Sequence, residues 1–334
     1  MDMPLFGQAL CLDANLDLLR QAFSRHLVKL DLEAENEPAR ARPGGMVAPL
    51  ILDDIRMAWI DYGQPVQVRC PLDDWYTLIV VPRGRAVVRQ AFPERISHGQ
   101  VHLLAPNNEL EMYYGQGAGH LAIGLKRTPE RRTLLEPLFQ EGATPARGLL
   151  EVLRRLVMDF IEDHRHVTRW EDSVSLVRRL GETLLSVIEQ WQRDGQVQLP
   201  ARPTADERIL QIARFIRQQA QWDYEPAYLQ DVAGMSLRGL YYAFERTLGS
   251  TPYRYYRTCK LLRVRGAIIR DWRQQHPIAW HATNEGFFHL SRFAAQYREM
   301  FGELPSDTVQ RQRALFRSLQ ASESLEVLAV TAED

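Results

Sequence analysis

The chain contains no run of 18 or more apolar residues, so no segment is long enough to cross a bilayer as a helix. Cysteine is scarce: Cys11, Cys70 and Cys259 lie far apart without a CxxC pair, and an odd number cannot all be bridged internally. That argues against a disulfide framework and a thiolate metal centre, and points to a reducing, cytoplasmic setting. The opening MDMPLFGQALCLDANLDLL carries acids where an export signal would carry a basic segment. Three catalytic signatures are missing as well, namely a GxxxxGK phosphate loop, a GxSxG nucleophile turn and an HExxH metal helix. His98, His102 and His120 are available as metal ligands, but they include no HxH pair and lack the spacing of a closed site. The sequence therefore argues against an enzyme and supplies no catalytic residue, metal ligand or cofactor. A metal-dependent sheet enzyme is left as a distant alternative.

Excess charge of one sign is also missing overall, with a formal net charge of -1. The balance hides an asymmetry: Thr204 to Ser318 hold 17 Lys and Arg against 11 Asp and Glu. A basic module on an otherwise acidic protein suits a polyanionic partner. The 334 residues are enough for two ordinary domains.

From Ile51 to Leu125, short β-branched and aromatic runs alternate with Gly, Pro and Asn, as in DDWYTLIVVPRGRAVVRQ and ISHGQVHLLAPNNELEMYYGQG. That spacing predicts an antiparallel sheet folded as a sandwich or barrel, with a hairpin turning at Pro82 and Gly84. After Pro145 the period lengthens. Leu149, Leu153, Leu156, Phe160 and then Val177, Leu180, Leu184, Ile188 recur at three and four, predicting two helices centred near 155 and 182. They either pack on their own sheet or form a dimer contact. The stretch RDGQVQLPARPTAD then reads as a linker.

Two similar segments follow, GMSLRGLYYAFERTLGSTP and GFFHLSRFAAQYREMFGELP. An offset of 53 residues sets Leu240 against Phe293, Phe244 against Tyr297, Gly249 against Gly302 and Pro252 against Pro305. The apolar skeleton repeats and the polar residues differ. Each segment is preceded by a short helical pattern and a Gly turn, the signature of a helix-turn-helix unit. PYRYYRTCKLLRVRGAIIRDW between them reads as a connecting helix. About 20 residues at 1.5 Å each span ~30 Å, near the ~34 Å between successive major grooves.

Early turns of a reading helix face the groove. The expected DNA contacts are Ser236, Arg238, Tyr241, Tyr242 and Arg246 in the first unit, Arg257 and Lys260 in the connecting helix, and His289, Ser291, Arg292 and Gln296 in the second unit. Arg238 and Arg292 suit bidentate guanine contacts, whereas Arg246, Arg257, Lys260 and Arg263 suit phosphates. Phe287, Phe293, Tyr297 and Phe301 read as core.

These two segments, with the FGELPSDT ending, resemble the C-terminal DNA-binding domain of the AraC/XylS family over residues 205 to 315. GQVHLLAPNNEL and WYTLIVVPRGRAVV are similar, more weakly, to the AraC-binding type of N-terminal sensor domain. The resemblance implies a transcriptional regulator, usually an activator, that binds promoter DNA and recruits RNA polymerase. It also implies that Arg238, Tyr242 and Arg292 occupy base-contacting positions. His281 stands where the family usually has Ile, and Gln230 where it usually has Ala.

The expected fold is α+β and multidomain. Residues 1–145 form a cupin-like or sandwich β-rich sensor domain, 146–194 the dimerisation or packing helices, and 195–205 the linker. An all-α double helix-turn-helix domain follows over 206–318, then a C-terminal tail over 319–334. By resemblance the sensor takes a small effector; a sandwich lined by Met57, Trp59, Trp75, Tyr76, Tyr113 and Tyr114 suits a flat aromatic or other organic acid, with Trp59, Tyr76, Arg83 and Tyr113 as the chosen contacts and Arg69, Arg85 and Arg89 as other candidate carboxylate partners. A homodimer is expected and a membrane partner is not. The alternatives are a repressor or constitutive regulator whose sensor domain serves only dimerisation and, distantly, a metal-dependent cupin-type enzyme.

Overall fold

The computed structural model describes residues 5–34, 43–82, 84, 86–90, 95–139, 145–164, 170–197, 199, 206–271, 275–315 and 317. Eleven strands among these residues form two antiparallel sheets. Sheet A runs in the order β1 (Cys11–Ala14), β3 (Gly45–Ile51), β4 (Ile55–Asp61), β11 (Gly119–Lys126), β6 (Trp75–Val80), β9 (Val101–Leu104). Sheet B runs β2 (Asp31–Ala34), β5 (Val66–Pro71), β10 (Glu109–Tyr114), β7 (Ala86–Gln90), β8 (Arg95–Gly99). The sheets face each other across a core that includes Ile60, Ile79, Val68 and Met112, and helix α1 (Leu16–His26) packs into it through Leu19 and Phe23.

The sequence of each sheet follows from what covers it. Sheet B has one wet face, so β10 alternates, with Leu110, Met112 and Tyr114 inward and Glu109, Glu111 and Tyr113 outward. Sheet A is buried on both faces, so WYTLIV and HLAIGL read as nearly continuous apolar runs. Its second face is closed by α2 (Pro129–Leu135), α3 (Arg147–His164) and α4 (Trp170–Asp194). Leu153, Val157 and Phe160 of α3 and Val177, Leu184 and Ile188 of α4 share one core with Met57, Tyr76 and Leu121. Each such side chain stabilises the fold by ~1.5 to 3 kcal/mol when fully buried. At Gly181 the long α4 comes down on Ile55 so closely that a Cβ would collide with it.

The C-terminal module consists of α5 (Glu207–Gln218), α6 (Pro226–Ala233), α7 (Leu237–Leu248), α8 (Pro252–Arg270), α9 (Ile278–Asn284), α10 (Leu290–Phe301) and a helix over residues 305–315. Helix α8 belongs to two cores. Its first half gives Tyr255, Tyr256 and Cys259 to the core of α5 to α7, and its second half gives Leu261, Val264 and Ile268 to the core of α9 and α10.

The N-terminal segment ties the module to the sheets. Leu5 takes a left-handed conformation, with φ 58°, and donates its N–H to His164 Nδ1 at 3.3 Å. Phe6 and Leu12 lie beside Gly266 of α8, Gly7 lies against Phe301 of α10, and Trp170 at the start of α4 covers Gly302. Gln312 donates to the Leu10 carbonyl at 2.6 Å, and Arg270 pairs with Asp13. Among the described residues these ties reach the second helical unit, through α8, α10 and the 305–315 helix.

Candidate nucleic-acid interface and inter-sheet cavity

The 53-residue offset in sequence is an offset in structure: it carries α7 residue for residue onto α10, and Pro252 at the start of α8 onto Pro305 at the start of the last helix. Each reading helix ends on a left-handed glycine, Gly249 with φ 62° and Gly302 with φ 75°, a conformation that costs glycine little. Leu240 and Phe244 of α7 are buried, as are Phe293, Tyr297 and Phe301 of α10.

In the first unit Ser236 is the N-cap of α7 and accepts from Gly239 N–H at 3.2 Å. It starts the reading helix, with its hydroxyl occupied by the cap. Arg238 and Arg246 are exposed, and Tyr242 is 71% exposed. Tyr241 is half-buried, its hydroxyl 3.0 Å from that of Tyr224, which braces α7 against the approach to α6.

In the second unit His289, Ser291 and Arg292 are exposed at the start of α10. Gln296, one turn on, accepts from Arg257 Nη2 at 3.0 Å, and the Arg257 guanidinium lies 4.1 Å from the centre of the Phe287 ring. Burial first, and the neighbouring Arg292 charge in part, hold Arg257 below the usual arginine value. Tyr253, Arg254, Arg257, His289, Arg292 and Gln296 border a concavity of about 320 Å³. Three arginines border it, and no carboxylate is among its described lining residues, an arrangement a phosphate would relieve. Lys260 lies 4.9 Å from the Tyr256 ring centre, at the junction of the two units.

Arg263 departs from the phosphate role expected of it. It is nearly buried and pairs with Glu285 at 2.8 Å, tying α8 to α9. Tyr253, Arg254 and Phe288, the last 77% exposed, lie on this face and carry no motif of their own. What marks them is position, beside the Thr251 cap that opens α8 and ahead of α10.

The FGELPSDT ending has a physical reason. Arg265, 2% exposed, donates to Glu303 at 2.7 Å, to Tyr297 OH at 3.0 Å and to Thr308 at 3.2 Å. Arg311 closes on the same carboxylate at 2.6 Å. Burial raises the Glu303 pKa, but the two arginine charges outweigh it and hold the group below its usual value. Asp307 accepts from Leu304 N–H at 2.9 Å and so caps the last helix. His281 is buried with Nε2 2.9 Å from Asp271.

Residues 229–311 match the helix-turn-helix domain family and residues 19–188 the AraC-binding-like domain. The chain belongs to the AraC family of transcriptional regulators. It is a DNA-binding transcriptional regulator. A curated relative, XylDLEGF operon transcriptional activator 1 of Pseudomonas putida, is 27% identical over 310 residues, 88% of this chain and 91% of that one. XylDLEGF operon transcriptional activator 2 of the same organism is 41% identical over 98 residues, 29% of this chain and 62% of that one. Among solved structures, the AraC-like transcriptional activator CuxR is 16% identical, covers 77% of this chain and 94% of its own, and aligns with a TM-score of 0.37.

The sheet domain of this AraC-family chain holds a cavity of about 80 Å³ between the sheets. Of the four residues expected to bind an effector, the three described ones do not meet there. Trp59 and Tyr76 point from sheet A toward α3 and α4, and Tyr113 lies on the outer face of sheet B, where Gln67 donates to its hydroxyl at 3.0 Å. Arg83 and Arg85 lie outside the described residues. Arg69 and Arg89 are on the outer face and pair with Glu111. The cavity is lined by the opposite face of sheet A, with Arg56, Thr77, His120 and Gly124, and by Cys70 and Leu110 of sheet B. His120 stacks on Tyr114 at 4.5 Å, and burial lowers its pKa to about 3, so the ring is neutral. Among the described residues no three His, Cys, Asp or Glu side chains form a metal-sized group.

Proposed function

We propose that this regulator reads two successive major-groove segments of promoter DNA with α7 and α10 and activates transcription by bringing RNA polymerase to that promoter. One observation carries the reading. The two helices are equivalent in register, each presents an exposed arginine in its first turn, Arg238 and Arg292, and they are joined by a single 19-residue helix. That helix spans about 28 Å, close to the ~34 Å groove repeat. Arg238, Tyr242, His289, Ser291 and Arg292 address the bases. Arg246, Arg257 and Lys260 address phosphates, and Ser236, Tyr241 and Gln296 hold the reading helices in position.

The assignment of residues 1–145 to a sensor, 146–194 to its helices, 195–205 to a linker and 206–318 to DNA binding follows the changes of texture in the sequence. The linker falls largely outside the described residues, as does the tail over 319–334. The sensor takes a small effector in its inter-sheet cavity and acts on the second reading unit, which the N-terminal segment touches. The working form is a cytoplasmic homodimer. Activation is favoured by the Pseudomonas putida relatives, which are transcriptional activators.

Selection of bound duplexes from a random pool by the full chain, at two salt concentrations, tests the DNA reading. Two enriched blocks about one turn apart are expected. Binding without an enriched sequence, with a steep salt slope, would reduce the module to charge alone.

A further inference from the structure

Both reading helices open on a leucine that faces outward. Leu237 is 40% exposed and Leu290 43% exposed, and the 53-residue offset sets one against the other. The residue two places earlier differs between the units. In the first it is Met235, which packs on the core of that unit; in the second it is Phe288, 77% exposed. An apolar residue just ahead of an N-cap ordinarily folds back on the fourth helical residue and fixes the entry of the chain. At α10 that duty has passed to Phe287, whose ring lies 5.2 Å from that of Phe293 and beneath the Arg257 guanidinium. The fold makes no such use of the Phe288 ring.

Its setting decides what that ring can meet. Phe288 borders the concavity shared by Arg254, Arg257, His289 and Arg292, and no carboxylate is among the described lining residues. A cationic rim of this kind favours a polyanion and opposes another basic surface. The N-terminal residues of a reading helix are the ones that reach base edges, and Phe288, Leu290 and Arg292 all stand at the N-terminal tip of α10. Among the base edges of the major groove, the apolar group is the C5-methyl of thymine. Exposed apolar side chains set among cations at this tip are matched by thymine, as Arg292 is matched by guanine.

We infer that Phe288 and Leu290 form an apolar clamp for the methyl group of one thymine in the second DNA block, beside the base read by Arg292. The inference rests on the reading of α10 as a base-reading helix. In the first block Leu237 makes the corresponding contact without an aromatic companion, since Met235 is turned inward. Thymine is accordingly required more strongly in the second block than in the first. The clamp carries no charge, so it adds discrimination without steepening the dependence on salt.

The test uses the duplex that the full chain selects from a random pool, with each thymine of the second block replaced in turn by deoxyuridine. That exchange keeps every hydrogen-bonding group and removes only the methyl. At one position it is expected to weaken binding about 4-fold, the burial of one methyl group, and by less at any position of the first block. Phe288→Ala should weaken the thymine duplex by about 3- to 10-fold and the deoxyuridine duplex by less, and the double variant F288A/L290A should bind the two alike, the coupling expected of groups in contact. Both side chains are exposed, so the melting temperature should hold. A second block without thymine, deoxyuridine duplexes that all bind as thymine does, or variants that weaken both duplexes equally would overturn the clamp. Base reading by α10 would still stand, because Arg292→Ala reports it separately. Selection without an enriched sequence overturns that reading and the clamp together.

Discussion

The two helix-turn-helix units share a backbone plan and are cemented differently. Where the second unit has Arg265, Tyr297, Glu303 and Thr308, the first has, 53 residues earlier, Ile212, Phe244, Ser250 and Tyr255. The first set is apolar or small: Ile212 and Phe244 are fully buried, and the Phe244 and Tyr255 rings meet edge-on at 5.6 Å. The second is a buried ion pair with two hydroxyls closed around it. A scaffold of this kind accepts either oil or charge at its centre, provided every polar atom placed there is answered. The exposed faces, which carry DNA recognition, are free to differ independently of that choice.

Removing one partner of the ionic centre should have the largest effect. Arg265→Met leaves Glu303 without its buried partner and should cost the second unit about 3 to 5 kcal/mol, while hydrogen exchange in α5 to α7 stays near wild type. Installing the residues of the first unit together, Ile at 265, Phe at 297, Ser at 303 and Tyr at 308, should recover most of that loss. If it does not, the two centres are not interchangeable.

Acid should separate the regions next. Glu303 has its folded value below the ordinary 4.5, so its stabilisation is present above 4.5 and is lost as pH falls through the folded value. His120 and His164, lowered by burial from 6.5 to about 3 and about 4, behave with an earlier onset. Below pH 6.5 the unfolded chain takes up their protons first, so the sheet domain loses stability as pH drops from 6.5 toward 3. Tryptophan emission and exchange protection should therefore fail in the sheet domain before the second unit, with the apolar first unit failing last.

Exchanging one oxygen sharpens the comparison at a smaller scale. Phe244→Tyr buries a hydroxyl in an apolar centre and Tyr297→Phe deletes one that bonds Arg265 and Thr308; each should cost about 1 to 3 kcal/mol in melting experiments. On DNA, Arg238→Ala and Arg292→Ala should each relax discrimination at one position, in separate blocks, by about 1 to 3 kcal/mol. Uniform weakening on all sequences would make them phosphate contacts instead. The smallest change is expected from Asp13→Ala: its pair with Arg270 is solvent-exposed, and such pairs contribute up to about 1 kcal/mol.

The helical repeat was legible because its signal is local and occurs twice: buried Leu or Phe, then Phe or Tyr, then Gly and Pro at fixed spacing. The sheet domain was legible in outline for a similar reason, its short runs being separated by turn residues. The cavity was not. Trp59 and Tyr76 are each one residue out of phase with cavity-facing neighbours, Ala58 and Thr77. In a strand one residue is the whole difference between faces. Because both faces of sheet A are buried, apolar patterning could not say which one borders the cavity. Arg263 and Arg265 misled in the opposite direction: they count toward the basic excess, yet both are spent on internal carboxylates.

Strand β1 occupies one end of sheet A, paired to β3 on one side and irregular in register between Cys11 and Ala14. Helix α1 packs on it, and the DNA-binding module lies against it through Gly266, Arg270 and Gln312. An uncovered end strand is a template on which another chain can add its own. The module thus doubles as the guard of a sheet edge. A chain whose module has swung away from residues 10–14 would be prone to associate edge to edge, and its solubility would report the docking of its two halves.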